Sequence, residues 1–156
     1  METSQKLIQE AHKSLGVADH LVYTTYPLVH DAKLLLKISE NIYTAMILAI
    51  DAVLAYDYYF KRIEFHPERF DGKLDIFKSE SEPRYGFGRA YIFTLLELRE
   101  LIAHHQRSPI AFLKHDKYLM FSPDYSVMKG ISIEKVKSYL HEAKIFIEKA
   151  NRIIST

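Results

Sequence analysis

The chain has 156 residues, enough to bury a sizeable core within one domain. At 48% hydrophobic and 26% charged residues it is excluded from the disordered class. A formal net charge of +1 excludes a global pull toward nucleic acid or anionic lipid and leaves only local patches open, while the absence of Cys excludes disulfides and thiolate metal sites.

The first predicted helix runs from about Ser4 to Tyr23, capped by Thr3 or Ser4. Leu7, Ile8, Ala11, Leu15, Ala18 and Val22 follow its period, and Gly16 weakens it by roughly 1 kcal/mol relative to Ala. Tyr26-Pro27 marks a break, because a residue before proline is biased toward extended geometry. The second predicted helix, about Val29 to Ile63, contains no Gly or Pro. Its row Leu35, Ile38, Ile42, Ala45, Ala49, Val53, Tyr56, Phe60 steps by three and four, and a second row through Leu34, Met46, Ile47, Ile50 and Leu54 widens the stripe. Straight, it would span roughly 50 Å, more than a compact bundle needs, which makes a homodimer contact the expectation.

Residues Glu64 to Gly88 read as a long connection punctuated by Pro67, Asp71-Gly72, Pro83, Gly86 and Gly88, with a short helical turn near Leu74 to Lys78. A third helix runs from about Arg89 to His105, with Ile92, Leu95, Leu96, Leu98 and Ile102 on its apolar side. The second long connection, Gln106 to Gly130, opens on Ser108-Pro109. In it, Ile110 to Leu113 and Tyr118 to Phe121 flank Lys114-His115-Asp116-Lys117 as a small hairpin would, and Ser122-Pro123-Asp124 ends that segment. Ser132 caps a last helix, about Ile133 to Ile153, with Ile131 and Val136 as a hydrophobic staple and Leu140, Ala143, Ile147, Ala150 and Ile154 as its buried stripe. The expected architecture is one all-α domain over residues 1–156, an antiparallel up-and-down four-helix bundle with long connections after helices two and three.

The longest apolar stretch, Tyr43 to Phe60, is interrupted by Asp51 and Asp57, so no membrane span is expected, and a polar start without Cys fits a cytoplasmic protein. None of the eight His has an acid three residues ahead, and no His-Glu-x-x-His occurs, so neither metal nor cofactor is expected. Two segments carry features that could meet phosphate. Tyr85-Gly86-Phe87-Gly88-Arg89, with Arg84 beside it, precedes a helix but lacks the Walker A and dinucleotide spacings; it reads better as a flexible helix start. Tyr56-Asp57-Tyr58-Tyr59-Phe60-Lys61-Arg62 could stack bases over Lys61 and Arg62, and reads better as the packed end of a long helix.

Chemistry concentrates in Arg99-Glu100-Leu101-Ile102-Ala103-His104-His105-Gln106-Arg107. In the catalytic reading Arg99 holds a scissile phosphate and His104 or His105 acts as general base on a ribose hydroxyl, with Glu100 and Arg107 as substrate contacts. On a continuous helix Arg99 and His104 lie about 140° apart. They converge only if the helix unwinds near His104 or a second chain shares the site. The competing reading makes Arg99 a partner of Glu97, Glu100 or a neighbouring helix, and the His pair a helix end where cations suit the dipole. With seven Arg and eight His in the chain, such an Arg-to-His spacing is close to chance expectation, and its position at a helix end carries the weight.

At this point the chain resembles the HEPN superfamily, small helical bundles whose signature is an Arg followed four to six residues later by His. Arg99 and His104, with His105 also in range, match it, and the motif closes the penultimate core helix as it does there. The resemblance implies a homodimer with facing motifs and binding of RNA or nucleotide. In many members it implies metal-independent RNA cleavage within toxin–antitoxin or defence systems. Other members have lost catalysis and bind nucleotides or partner proteins. Glu100 departs from the Asn, Asp or His common after the Arg, and Pro109 to Gly130 is longer than a typical member needs. The alternative function is a non-catalytic helical interaction or scaffold protein that holds a protein partner.

Overall fold

A computed structural model describes residues 2–107, 110–114, 117–122, 124 and 128–155, with strand backbone alone at 110–114. It is mostly helical, with a small antiparallel sheet. Helix α1, Glu2–His20, buries Ile8, Ala11, Leu15 and Ala18 on one stripe, as its periodicity predicts. It begins upstream of Thr3 and Ser4, so neither stands at its start, and Ser4 is buried.

Tyr26-Pro27 does not break the chain. A π-helical segment, Leu21–Thr25, leads into a single turn, α2, Tyr26–Val29, and the Tyr26 N–H donates five residues back to Leu21. Proline has no N–H to give, and its ring collides with the carbonyl four residues back in an ordinary helix. A turn widened by one residue gives the ring room. The same device recurs where Pro83 follows a second π-helical segment, Phe77–Ser81, with the Glu82 N–H donating to Phe77. The real break after α2 is His30, in the left-handed region at φ 52°.

The long helix α3, Lys33–Tyr59, is shorter at both ends than its apolar pattern suggests. The Asp31 carboxylate accepts the Lys33 N–H at 3.0 Å at its start. At its end Lys61 takes φ 58°, the Arg62 N–H donates to the Asp57 carbonyl at 2.8 Å, and the Lys61 N–H donates to the Tyr58 carbonyl at 3.0 Å. This pair of bonds is a Schellman cap with lysine where glycine is usual. Lysine in the left-handed region is strained, while glycine loses more freedom on folding. Lys61→Gly is therefore expected to stabilise the fold by about 0.5–1 kcal/mol, seen as a higher urea midpoint.

Fourteen of the 27 residues of α3 are buried. By length and composition α3 is apolar enough to cross a membrane, and most of its apolar window is buried inside this chain. It packs against α1, where the Ser14 hydroxyl donates to the Asn41 carbonyl at 3.0 Å, and against α6, Ala90–Arg107, and α7, Ile133–Ser155. These contacts bury the first apolar row as far as Tyr56 and most of the second, leaving Leu34 and Ile47 half-buried. Glu97 of α6 pairs with Lys135 of α7 at 2.9 Å, and Tyr91 stacks on Phe146 with ring centres 4.3 Å apart.

The connection before α6 is more ordered than its glycines and prolines suggest. Helix α4, Phe70–Ile76, runs through the π-helical segment into α5, Glu82–Tyr85, which ends on left-handed Gly86. Phe77, fully buried, and Phe87 join Tyr91 and Phe146 in an aromatic cluster that seats this run on α6 and α7.

The expected hairpin is present as β1, Ile110–Lys114, and β2, Lys117–Phe121, with Ile110 opposite Phe121 and Lys114 opposite Lys117. The turn residues His115-Asp116 lie outside the described residues, as do Ser108-Pro109 and Pro123. A third strand, β3, Met128–Ile131, pairs with β2 and makes the domain not purely helical. Gly130 sits opposite Leu119, whose side chain would lie 3.0 Å from any Cβ added there. Tyr118 and Met120 of β2 point into the core, along with Ile131 of β3. Ser132 caps α7 as expected, its hydroxyl accepting the Lys135 N–H at 3.3 Å, and the staple residues Ile131 and Val136 are both buried.

Candidate functional site

Helix α6 runs unbroken through His105 to Arg107, two residues past its expected end. The unwinding that would bring Arg99 and His104 together within one chain does not occur. A continuous helix holds them about 140° apart, and each engages a different neighbour. Exposed Arg99 lies over the Phe70 ring of α4, its guanidinium carbon 4.1 Å from the ring centre. It also approaches the Tyr43 hydroxyl, whose pKa is pushed up by burial and pulled back by this cation. His104 is 4% exposed and turns to the sheet, its Nε2 2.9 Å from the Met120 carbonyl oxygen of β2. A carbonyl only accepts, so Nε2 carries the proton and donates.

The remaining candidates separate as well. Half-buried His105 lies beside Tyr118, ring centres 5.9 Å apart, and its Nδ1 has no hydrogen-bond partner among the described residues. Glu100 pairs with Arg107, not with Arg99, at 3.4 Å across two turns. Both are exposed, so the pair contributes little. The stretch is thus divided over three sides of α6: Arg99 on α4, the two imidazoles on β2, and a surface ion pair. Among the described residues no three His, Asp or Glu side chains gather as a metal would require.

A denser polar constellation forms around Asp57, near the end of α3. Its carboxylate is fully buried. The Ser81 hydroxyl donates to Oδ2 at 2.6 Å, and Arg84 donates to the same oxygen at 3.1 Å. The Tyr85 hydroxyl donates to Oδ1 and accepts from Arg62 at 2.8 Å. Arg62 itself stands 3.9 Å from Oδ1. The Schellman cap produces this last approach, because it returns Arg62 toward the turn that carries Asp57. Burial, and then the hydrogen bond to Asp57, push the Tyr85 phenol up to about 12.

The two halves of this constellation, Tyr56 to Arg62 and Arg84 to Arg89, are separate weak phosphate candidates in the sequence. The fold brings them side by side. It also consumes Arg84 on Asp57 and Glu80, and Arg89 on Glu82. A third contributor comes from α7: Lys149 donates to the Gly86 carbonyl at 2.6 Å, and Arg152 lies one turn further on. The only signal for it was a pair of cations three residues apart on an otherwise amphipathic helix. No protein-family model matches the chain, and no curated protein matches it.

Proposed function

We infer that this chain is a non-catalytic helical interaction protein, in which Arg99 to His105 braces the fold. The observation that carries this reading is the buried His104 imidazole, spent on the Met120 carbonyl while Arg99 lies on Phe70. A general base must reach its substrate, and a 4% exposed ring bonded to backbone does not. The HEPN resemblance fits this reading as the branch of that superfamily without catalysis. Pairing of α1 with α3 and of α6 with α7 supports an antiparallel up-and-down arrangement of the four long helices.

The competing reading is a metal-independent ribonuclease assembled across a homodimer. One observation favours it: Arg99 is exposed and within reach of a second chain. Incubation of the purified protein with single-stranded RNA in excess chelator decides between them. No cleavage above buffer is expected. Cleavage that disappears in both Arg99→Ala and His105→Ala, in variants that still fold, would overturn the non-catalytic reading.

A further inference from the structure

The cations around the Asp57 constellation do not all serve it. A cleft of about 420 Å³ opens beside it, lined by Tyr56, Arg62, Tyr85, Lys149, Arg152 and Ile153. Three of those six residues are cations and none is an acid, in a chain whose net charge is only +1. The clustering is therefore local. A concave wall with one sign of charge focuses its field into the cleft.

Two of the three cations are anchored and the third is exposed. Arg62 is fixed by the Tyr85 hydroxyl and lies over the Tyr56 ring, its guanidinium carbon 5.5 Å from the ring centre. Lys149 is anchored to the Gly86 carbonyl and keeps two further N–H donors. Arg152 is exposed and makes no ion pair among the described residues. Lys149, Arg152 and Ile153 are spaced by three and four, so α7 presents them on one face. Asp57, behind the cleft, is fully buried and already paired with Arg84 at 3.1 Å, and Glu148, exposed on α7 beside Lys149 and one turn before Arg152, does not line the cleft and makes no ion pair among the described residues. The Asp57 charge therefore cancels little of the field that Lys149 and Arg152 present.

We propose that this cleft binds a small phosphate-bearing ligand. The phosphate lies between Arg62, Lys149 and Arg152, and the organic part lies against Tyr56 and Ile153. Arginine supplies the planar fork that suits phosphate oxygens, and lysine supplies a point charge. The volume falls within the roughly 300–1,000 Å³ typical of small-molecule sites and suits a ligand of about mononucleotide size. This site does not depend on the non-catalytic reading of α6, which is a different face of the molecule.

Isothermal titration of the full chain with inorganic phosphate and with AMP tests the proposal. AMP is expected to bind saturably with a dissociation constant below about 1 mM, at least about tenfold tighter than inorganic phosphate. Arg152→Glu is expected to weaken AMP by at least about tenfold with little change in melting temperature, since that side chain is exposed and makes no ion pair among the described residues. Lys37→Glu, roughly 28 Å away along α3, is expected to leave binding unchanged. Equal affinity for phosphate and AMP would overturn the role given to Tyr56 and Ile153. Absence of saturable binding, or equal weakening by Arg152→Glu and Lys37→Glu, would overturn the site itself.

Discussion

Asp57→Ala is expected to lower the unfolding free energy by about 3 kcal/mol, read as a fall in urea midpoint at unchanged slope. Three donors converge on this fully buried carboxylate, from Ser81, Arg84 and Tyr85. Removing the acceptor leaves the buried Ser81 hydroxyl and the Tyr85 hydroxyl without their partner, and Arg84 without its closest counter-charge. Arg84 keeps Glu80 at 3.3 Å, which holds the loss toward the lower end of the range for a broken buried pair. Asp57→Asn should recover part of the loss and not all. Its amide oxygen accepts, but its NH₂ faces a donor. Against a typical total stability of about 5–15 kcal/mol, the Ala variant loses a large share. An Asp57→Ala protein as stable as the parent would mean that the constellation is only a surface decoration.

Alkali should attack the same constellation. The fold favours the neutral Tyr85 phenol, whose pKa rises from 10.0 to about 12. Its contribution is complete below pH 10 and is lost as pH climbs through about 12. The sign follows from burial, which disfavours the phenolate, and from Asp57, which would repel it.

What could be read in advance divides along a physical line. The three-to-four spacing of α1, α6 and α7 reports a local preference and a buried face together, and Ser132 reports a local hydrogen bond, so these are legible residue by residue. The end of α3 is not. Its apolar row continues to Ile63, and no glycine marks the left-handed residue, because lysine occupies it. Strand β3 escapes for a related reason: only Ile131 of its four residues is buried, so it has no alternation to show. The connection from Phe70 to Tyr85 looks like loop because Pro83 and Gly72 are counted as breakers. Pro83 in fact sits in the first turn of α5, where a missing N–H costs nothing.

The candidate site shows the same division more sharply. Asp57 looks in sequence like a blemish in an apolar run. Its partners lie 24 to 28 residues further on, and only the fold names them. Arg99 and His104 look like a pair because they are near in sequence. Helical geometry separates what the one-dimensional spacing joins, and sends one to α4 and the other to the sheet.

That separation gives the second large effect. His104→Ala is expected to destabilise the fold by about 2–3 kcal/mol, combining the space left by a buried ring with the lost donor to Met120. Arg99→Ala should cost under about 1 kcal/mol, the scale of an exposed cation over an aromatic ring. The order of the two is the informative quantity. A catalytic pair would show similar losses of activity with little loss of stability at either position. A brace shows a large loss of stability at His104 alone. Hydrogen exchange adds a spatial readout, because His104 bonds directly from α6 to β2. In His104→Ala the amides of Lys117–Phe121 should exchange faster relative to those of α3, whereas Arg99→Ala should leave them protected. If both variants unfold at the parent midpoint, the imidazole is free of structural duty, and the case for a catalytic role returns.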